Sequence, residues 1–140
     1  MCVSDGTEPV EDGEVLYRRI PVSMNYYNGV DDLSPEAFHP RRNEATGISV
    51  YREKYKSIED AAKGRSKHGY FVAVLRTGDL RDIGVRVVPW PLPDDPGHAQ
   101  LPDLNCDNRR EPITEQRKFD LAKVCLKVVG PFPSSNEPAS

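Results

Sequence analysis

Cysteine is scarce and poorly spaced for chemistry: the chain has three, Cys2, Cys106 and Cys125, and no Cys-x-x-Cys pair. That argues against a zinc ribbon or a dithiol redox centre and leaves free thiols in a reducing, cytoplasmic compartment as the expectation. Long apolar runs are missing as well. Nothing approaches the roughly 18 consecutive apolar residues of a membrane span, and the first residues show no basic start followed by an apolar stretch. A membrane is therefore not an expected partner. The three histidines, His39, His68 and His98, have no His-x-x-x-His spacing, so no structural or catalytic metal is expected. No Gly-x-Gly-x-x-Gly or Walker-type run is present either, which removes the common backbone cradles for nucleotide phosphates and leaves the cofactor unknown.

The 140 residues suit one domain with a modest core. A hydrophobic fraction of 37%, with 13 prolines and 10 glycines, points to short elements and many loops rather than long helices. The expected class is α+β: a small mixed or antiparallel sheet of about five or six short strands, with two or three short helices. Charge is uneven along the chain. Residues 41–81 hold ten Lys/Arg against five Asp/Glu, so +5, and the total of -3 leaves -8 for the rest. This basic middle suits an anion, although Arg52, Lys54, Lys56, Lys63, Arg65 and Lys67 also read as the solvated faces of a strand end and a helix. They lack the regular aromatic interleaving of a single-strand platform, and nucleic acid is not an expected partner.

Residues 1–13 are polar and acidic and are expected to form a disordered tail ahead of a single domain over 14–130, with a second disordered tail at 131–140. Val15 to Ile20 reads as a first strand, with Leu16, Arg18 and Ile20 on one face and Val15, Tyr17 and Arg19 on the other. One of these two arginines must therefore face the better-covered side. Asn28-Gly29 supplies a turn, and Ser34-Pro35-Glu36 an N-cap, a first-turn proline and an acid for one short helical turn ended by Pro40. Gly47 to Arg52 returns to a strand pattern, with Ile48 and Val50 opposed to Ser49 and Tyr51.

Ser57 can cap a helix whose apolar face is Ile58, Ala61 and Ala62. Gly69 to Arg76 is apolar on both alternating faces, as a strand covered on both sides would be. Asp79 to Ile83 reads as a helical turn, Gly84 as its break and Val85 to Val88 as a strand. Pro89, Pro91, Pro93 and Pro96 then enforce an extended connection around Trp90, from which His98-Ala-Gln-Leu resumes as a short strand. Thr114 is placed as the cap of a helix through about Ala122, and Val124 to Val129 as the last strand.

The polar stretch from Phe38 to Tyr51 concentrates the candidate chemistry. Arg18, Arg19, Arg41 and Arg42 offer planar donor forks for a phosphate or carboxylate, and His39 and Ser49 add hydrogen bonds. His98 stands where a loop enters a strand, a frequent place for a general acid or base. Each of these also has a plainer reading, as a surface ion pair for the arginines and a loop-bracing hydrogen bond for His98. Cys106 lies eight positions after His98, so a thiol-imidazole pair is conceivable, but an ordinary thiol is the expectation, and Asp94, Asp95, Asp103 and Asp107 show no acid/base spacing, so hydrolysis is not expected.

Several short motifs resemble a family of small bacterial proteins of uncharacterised activity. They are Tyr17-Arg18 and Pro21, Ala37-Phe38 with Pro40-Arg41, Gly47-Ile48-Ser49-Val50, Tyr70, and Pro91 to Pro96 leading into His98-Ala99. The resemblance spans about residues 15–100 and groups these residues without implying an activity. A weaker resemblance is to ADP-ribosyltransferase-like folds. Arg18 and Ser49 match their first two strand-borne roles by order. The third, an acidic residue, has no counterpart, and the nearest positions are His98, Gln100 and Asp103.

The leading expectation is a cleft lined by Arg18, His39, Arg41, Ser49 and His98 that takes an anionic small molecule, a nucleotide being one candidate. The rival is a non-catalytic protein-interaction module that meets a protein partner through the Pro-rich Trp90 loop. Whether any reaction is catalysed is open at this stage.

Overall fold

A computed structural model describes residues 6–22, 27, 33–41, 44–63 and 69–132. Among them a six-stranded, fully antiparallel sheet runs in the order β4-β5-β2-β1-β3-β6. The strands are β1 (Val15–Pro21), β2 (Ile48–Arg52), β3 (Tyr70–Arg76), β4 (Val88–Pro89), β5 (His98–Leu101) and β6 (Lys127–Phe132). Three short helices, α1 (Ile58–Ala61), α2 (Thr77–Asp82) and α3 (Pro112–Val124), accompany it, as the α+β expectation required.

Alternation decides what each face buries. Leu16 and Ile20 of β1, Ile48 and Val50 of β2, Ala73 and Leu75 of β3, and Ala99 and Leu101 of β5 form the larger core with Phe38, Leu80 of α2 and Leu121 of α3. The opposite face gathers Tyr17, Tyr51, Tyr70, Val72 and Val74 under Ala61 and Ala62 at the end of α1. β3 contributes to both cores, which is why its sequence is apolar at every position from Tyr70 to Leu75.

Local signals set the helices. The Ser57 side chain accepts from the Asp60 N–H at 3.2 Å, and that of Ser34 from the Glu36 N–H at 3.1 Å ahead of a 3-10 turn at Pro35–Phe38. Gly84, at φ 82°, supplies the left-handed conformation that ends α2. α3 begins three residues earlier than expected: Glu111 rather than Thr114 is its N-cap, Pro112 takes the first turn, and Thr114 is buried inside the helix. α3 also continues to Val124, so β6 starts at Lys127 rather than Val124. The strand expected over Val85 to Val88 shrinks to Val88–Pro89, because the Val85 N–H closes back onto the Leu80 carbonyl at 2.9 Å.

Two expectations about order and exposure are corrected. Residues 6–13 are not loose: Val10 is buried in the larger core, and the Gly78 N–H donates to the Asp12 carbonyl at 2.8 Å. Arg52, read as a solvated strand end, is fully buried. Its guanidinium donates to both Glu14 carboxylate oxygens at 3.0 and 2.9 Å and to the carbonyls of Gly6, Glu8 and Pro9. A largely polar segment thus docks through its backbone carbonyls together with a single buried apolar side chain, Val10. At the other end Pro131 and Phe132 belong to β6. The calls on Asn28-Gly29, Arg42, Arg65, Lys67, His68 and residues 133–140 lie outside the described residues.

Candidate functional site

β1 pairs with β3 along its whole length, but with β2 only at Leu16↔Arg52 and Tyr17↔Tyr51. Beyond Tyr17 the β1–β2 ladder stops, and the Arg18 side chain enters the seam. It donates from Nη1 to the Ser49 carbonyl at 2.9 Å and to Glu44 Oε2 at 2.8 Å, and from Nε to the Ala37 carbonyl at 3.2 Å. Glu44 Oε2 in turn accepts from the Ser49 N–H at 2.6 Å, and Oε1 from the Arg41 N–H at 3.0 Å. Burial alone would raise the Glu44 carboxyl, but the Arg18 charge and these hydrogen bonds outweigh it and hold the group below its ordinary value.

On the Tyr51 face of the sheet, β2 pairs with β5 so that Tyr51 stands opposite His98 and Ser49 opposite Gln100. Ser49 and His98 are therefore diagonal neighbours across the ladder, within reach of one another. His98 Nε2 lies 2.9 Å from Ser49 Oγ, and His98 Nδ1 lies 2.8 Å from the Trp90 carbonyl oxygen. A carbonyl only accepts, so in the neutral imidazole Nδ1 carries the hydrogen and Nε2 offers its lone pair to the Ser49 hydroxyl. The Tyr51 ring meets the imidazole edge-on at a centroid distance of 5.9 Å and fixes its plane.

The hairpin joining β4 to β5 closes this corner. Trp90 N–H donates to the His98 carbonyl at 3.0 Å, and Leu92 and Asp95 exchange two backbone hydrogen bonds at 3.0 Å across Pro93 and Asp94. The proline-rich stretch is thus a tight hairpin tip rather than an open loop. Lys56 Nζ donates to Asp95 Oδ2 at 2.9 Å, whereas Asp95 Oδ1 is buried with no hydrogen-bond partner among the described residues.

These elements enclose a pocket of about 230 Å³ lined by Arg18, Arg19, Arg41, Glu44, Ser49, Tyr51, Leu92, Asp95 and His98. Of the expected residues it brings together Arg18, Arg41, Ser49 and His98. His39 lies elsewhere. Its Nδ1 accepts from the buried Lys118 Nζ at 3.0 Å, beside Glu36 and Glu115, which take the same ammonium at 2.8 and 2.7 Å. Those three acceptors have the spacing of a metal site, but the Lys118 ammonium already stands among them with a hydrogen for each, so an ion would have to displace it. Burial lowers the Lys118 value, and the hydrogen bonds to Glu115 and Glu36 outweigh it and raise it above its ordinary level.

Arg18 keeps its place in the pocket but changes role. At 4% exposure, with its donors on Glu44, Ser49 and Ala37, it braces the floor rather than reaching for a ligand. Sequence reading missed Glu44 and Asp95 as pocket residues, and named Arg19 as a candidate donor without placing it in the cleft. Arg19 donates to the Lys63 carbonyl and lies over the Tyr51 and Tyr70 rings at 5.5 and 5.0 Å. The larger groove, about 530 Å³ between α3 and β6, is lined by apolar groups such as Leu33, Phe119, Leu126 and Val128 and has only Lys123 and Lys127 as charged groups. Polar groups converge in the smaller one.

None of the helices among the described residues is long and apolar enough to cross a membrane. Comparison with protein families, with curated proteins and with solved structures finds no match to this chain, so neither resemblance drawn from its motifs gains support there.

Proposed function

We propose that this pocket binds a small organic anion. Three arginines line it against two carboxylates, and both carboxylates have internal partners: Glu44 pairs with Arg18, and Asp95 with Lys56. The lining thus carries a surplus of positive charge, three arginines against two carboxylates, which favours a negative ligand. That surplus is the observation that carries the reading. At about 230 Å³ the pocket is smaller than the roughly 300–1,000 Å³ usual for drug-sized ligands, which favours a short phosphorylated or carboxylated metabolite over a dinucleotide.

Isothermal calorimetry with sugar phosphates and hydroxy acids tests this. Binding that weakens with added salt and falls at least tenfold in Arg41→Ala is the expected result. Salt-independent binding, or none across such a panel, overturns it. The second reading, a protein-interaction module, is favoured by the exposure of Trp90 at 43% and Leu92 at 44% on the hairpin. Trp90→Ala would then abolish partner capture while leaving anion binding intact.

A further inference from the structure

We propose that Ser49 is a nucleophile, activated by His98, that takes an acyl group from a small ester carrying a negative charge; this rests on the anion-binding reading of the same pocket. Three observations converge. Ser49 Oγ is 2.9 Å from His98 Nε2, inside the reach a base needs to take its proton. The Trp90 carbonyl at Nδ1 fixes the tautomer that leaves Nε2 basic, the service an aspartate performs in the familiar triad. Both side chains line the arginine-bearing pocket, where a bound ester would lie.

The steps balance without any outside oxidant or reductant. Ser49 Oγ attacks the acyl carbon and passes its proton to His98 Nε2. The bond to the leaving oxygen then breaks, and that oxygen departs with the proton from Nε2. Water next gives a proton to Nε2 and attacks the acyl carbon. The Oγ–C bond breaks, Oγ recovers its proton, and the acid is released. The Ser49 N–H is already taken by Glu44 Oε2, so charge on the acyl oxygen is met by the net positive charge of the pocket lining rather than by that backbone donor. The Trp90 carbonyl is a weaker partner for an imidazolium than a carboxylate would be, which points to an activated or strained ester as the substrate.

The test uses two 4-nitrophenyl esters, the charged hydrogen succinate and the neutral acetate, with nitrophenolate release followed optically and acylation located by mass spectrometry of the quenched protein. The expected results are an adduct on Ser49, its loss in Ser49→Ala, a rate at least about 100-fold lower in His98→Asn, and succinate favoured over acetate. Asn keeps a donor near the position of Nδ1 for the Trp90 carbonyl and lacks the base, so folded His98→Asn, checked by circular dichroism, separates chemistry from bracing. Release that is unchanged in Ser49→Ala, or no adduct on Ser49, overturns the nucleophile. If calorimetry still detects anion binding in that case, the binding reading stands and only the chemistry falls. If neither binding nor adduct appears, both fall.

Discussion

Arg18 and Glu44 together take the place of a β-ladder rung at Ser49. The guanidinium donates to the Ser49 carbonyl while the carboxylate accepts from the Ser49 N–H, and the two side chains are joined at 2.8 Å. A residue in an interior strand needs both backbone groups satisfied, and on the β1 side nothing else does so here. The ion pair therefore lets β1 and β2 part without leaving the Ser49 N–H and C=O unmet. The parting makes room for a pocket in the sheet.

Arg18→Ala should destabilise the protein by about 3–5 kcal/mol, because it leaves the Glu44 carboxylate buried without its counter-charge. An apolar pair at both positions should not recover this, unlike many buried ion pairs. It would strand the Ser49 N–H and C=O, at about 1–3 kcal/mol for each unmet group. Urea melts of the single and double variants measure both quantities, and a double variant as stable as the parent would refute the rung.

The acid limb of stability should carry the same signature. Glu44 has its folded value held below the ordinary 4.5, so between the two values the unfolded chain binds more protons than the folded one. Stability contributed by Glu44 is thus fully present above about 4.5 and is lost as pH falls through the depressed folded value. Glu44→Gln should be less stable than the parent at pH 7, with the gap closing as pH drops below about 4.5. Glu14 and Asp103 are also held low and will steepen both curves, so the informative quantity is the difference between the two proteins. A gap that widens in acid would contradict the assignment.

Much of the sheet was legible because alternation reports burial directly. Leu16, Arg18 and Ile20 share one face as their spacing requires, and Ser49 shares its face with Tyr51. What alternation cannot report is partnership across the sheet. That β5 lies beside β2, which joins His98 to Ser49, depends on pairing between residues about fifty positions apart and leaves no mark in either segment. Glu44 was illegible for a related reason: a buried acid reads as surface until its arginine is placed. Arg52 and residues 6–14 failed together, since carbonyl groups that solvate a guanidinium are the same in every sequence.

Deleting residues 1–9 should therefore lower stability measurably, by about 1–3 kcal/mol. It removes the Gly6, Glu8 and Pro9 carbonyls from a guanidinium with no exposure to water, while the Glu14 pair remains. Thermal melts at fixed pH and salt measure the loss. An unchanged midpoint would return this segment to the role of a loose tail.

Lys118→Met should behave quite differently from Arg18→Ala, although both remove a buried cation. The Lys118 ammonium is enclosed, but its partners Glu36 and Glu115 are 48% and 47% exposed, so water can take over both carboxylates once the cation is gone. Glu44 has no such recourse, with a side chain only 6% exposed. Methionine also fills most of the lysine volume with apolar atoms in a helix that packs on the larger core. The expected change is within about 1 kcal/mol, against several for Arg18→Ala. Equilibrium urea denaturation of the two variants side by side decides it. A Lys118→Met loss as large as that of Arg18→Ala would mean that the exposure of the orphaned partner does not control the cost, and the same reasoning applied to Glu44 would then fail with it.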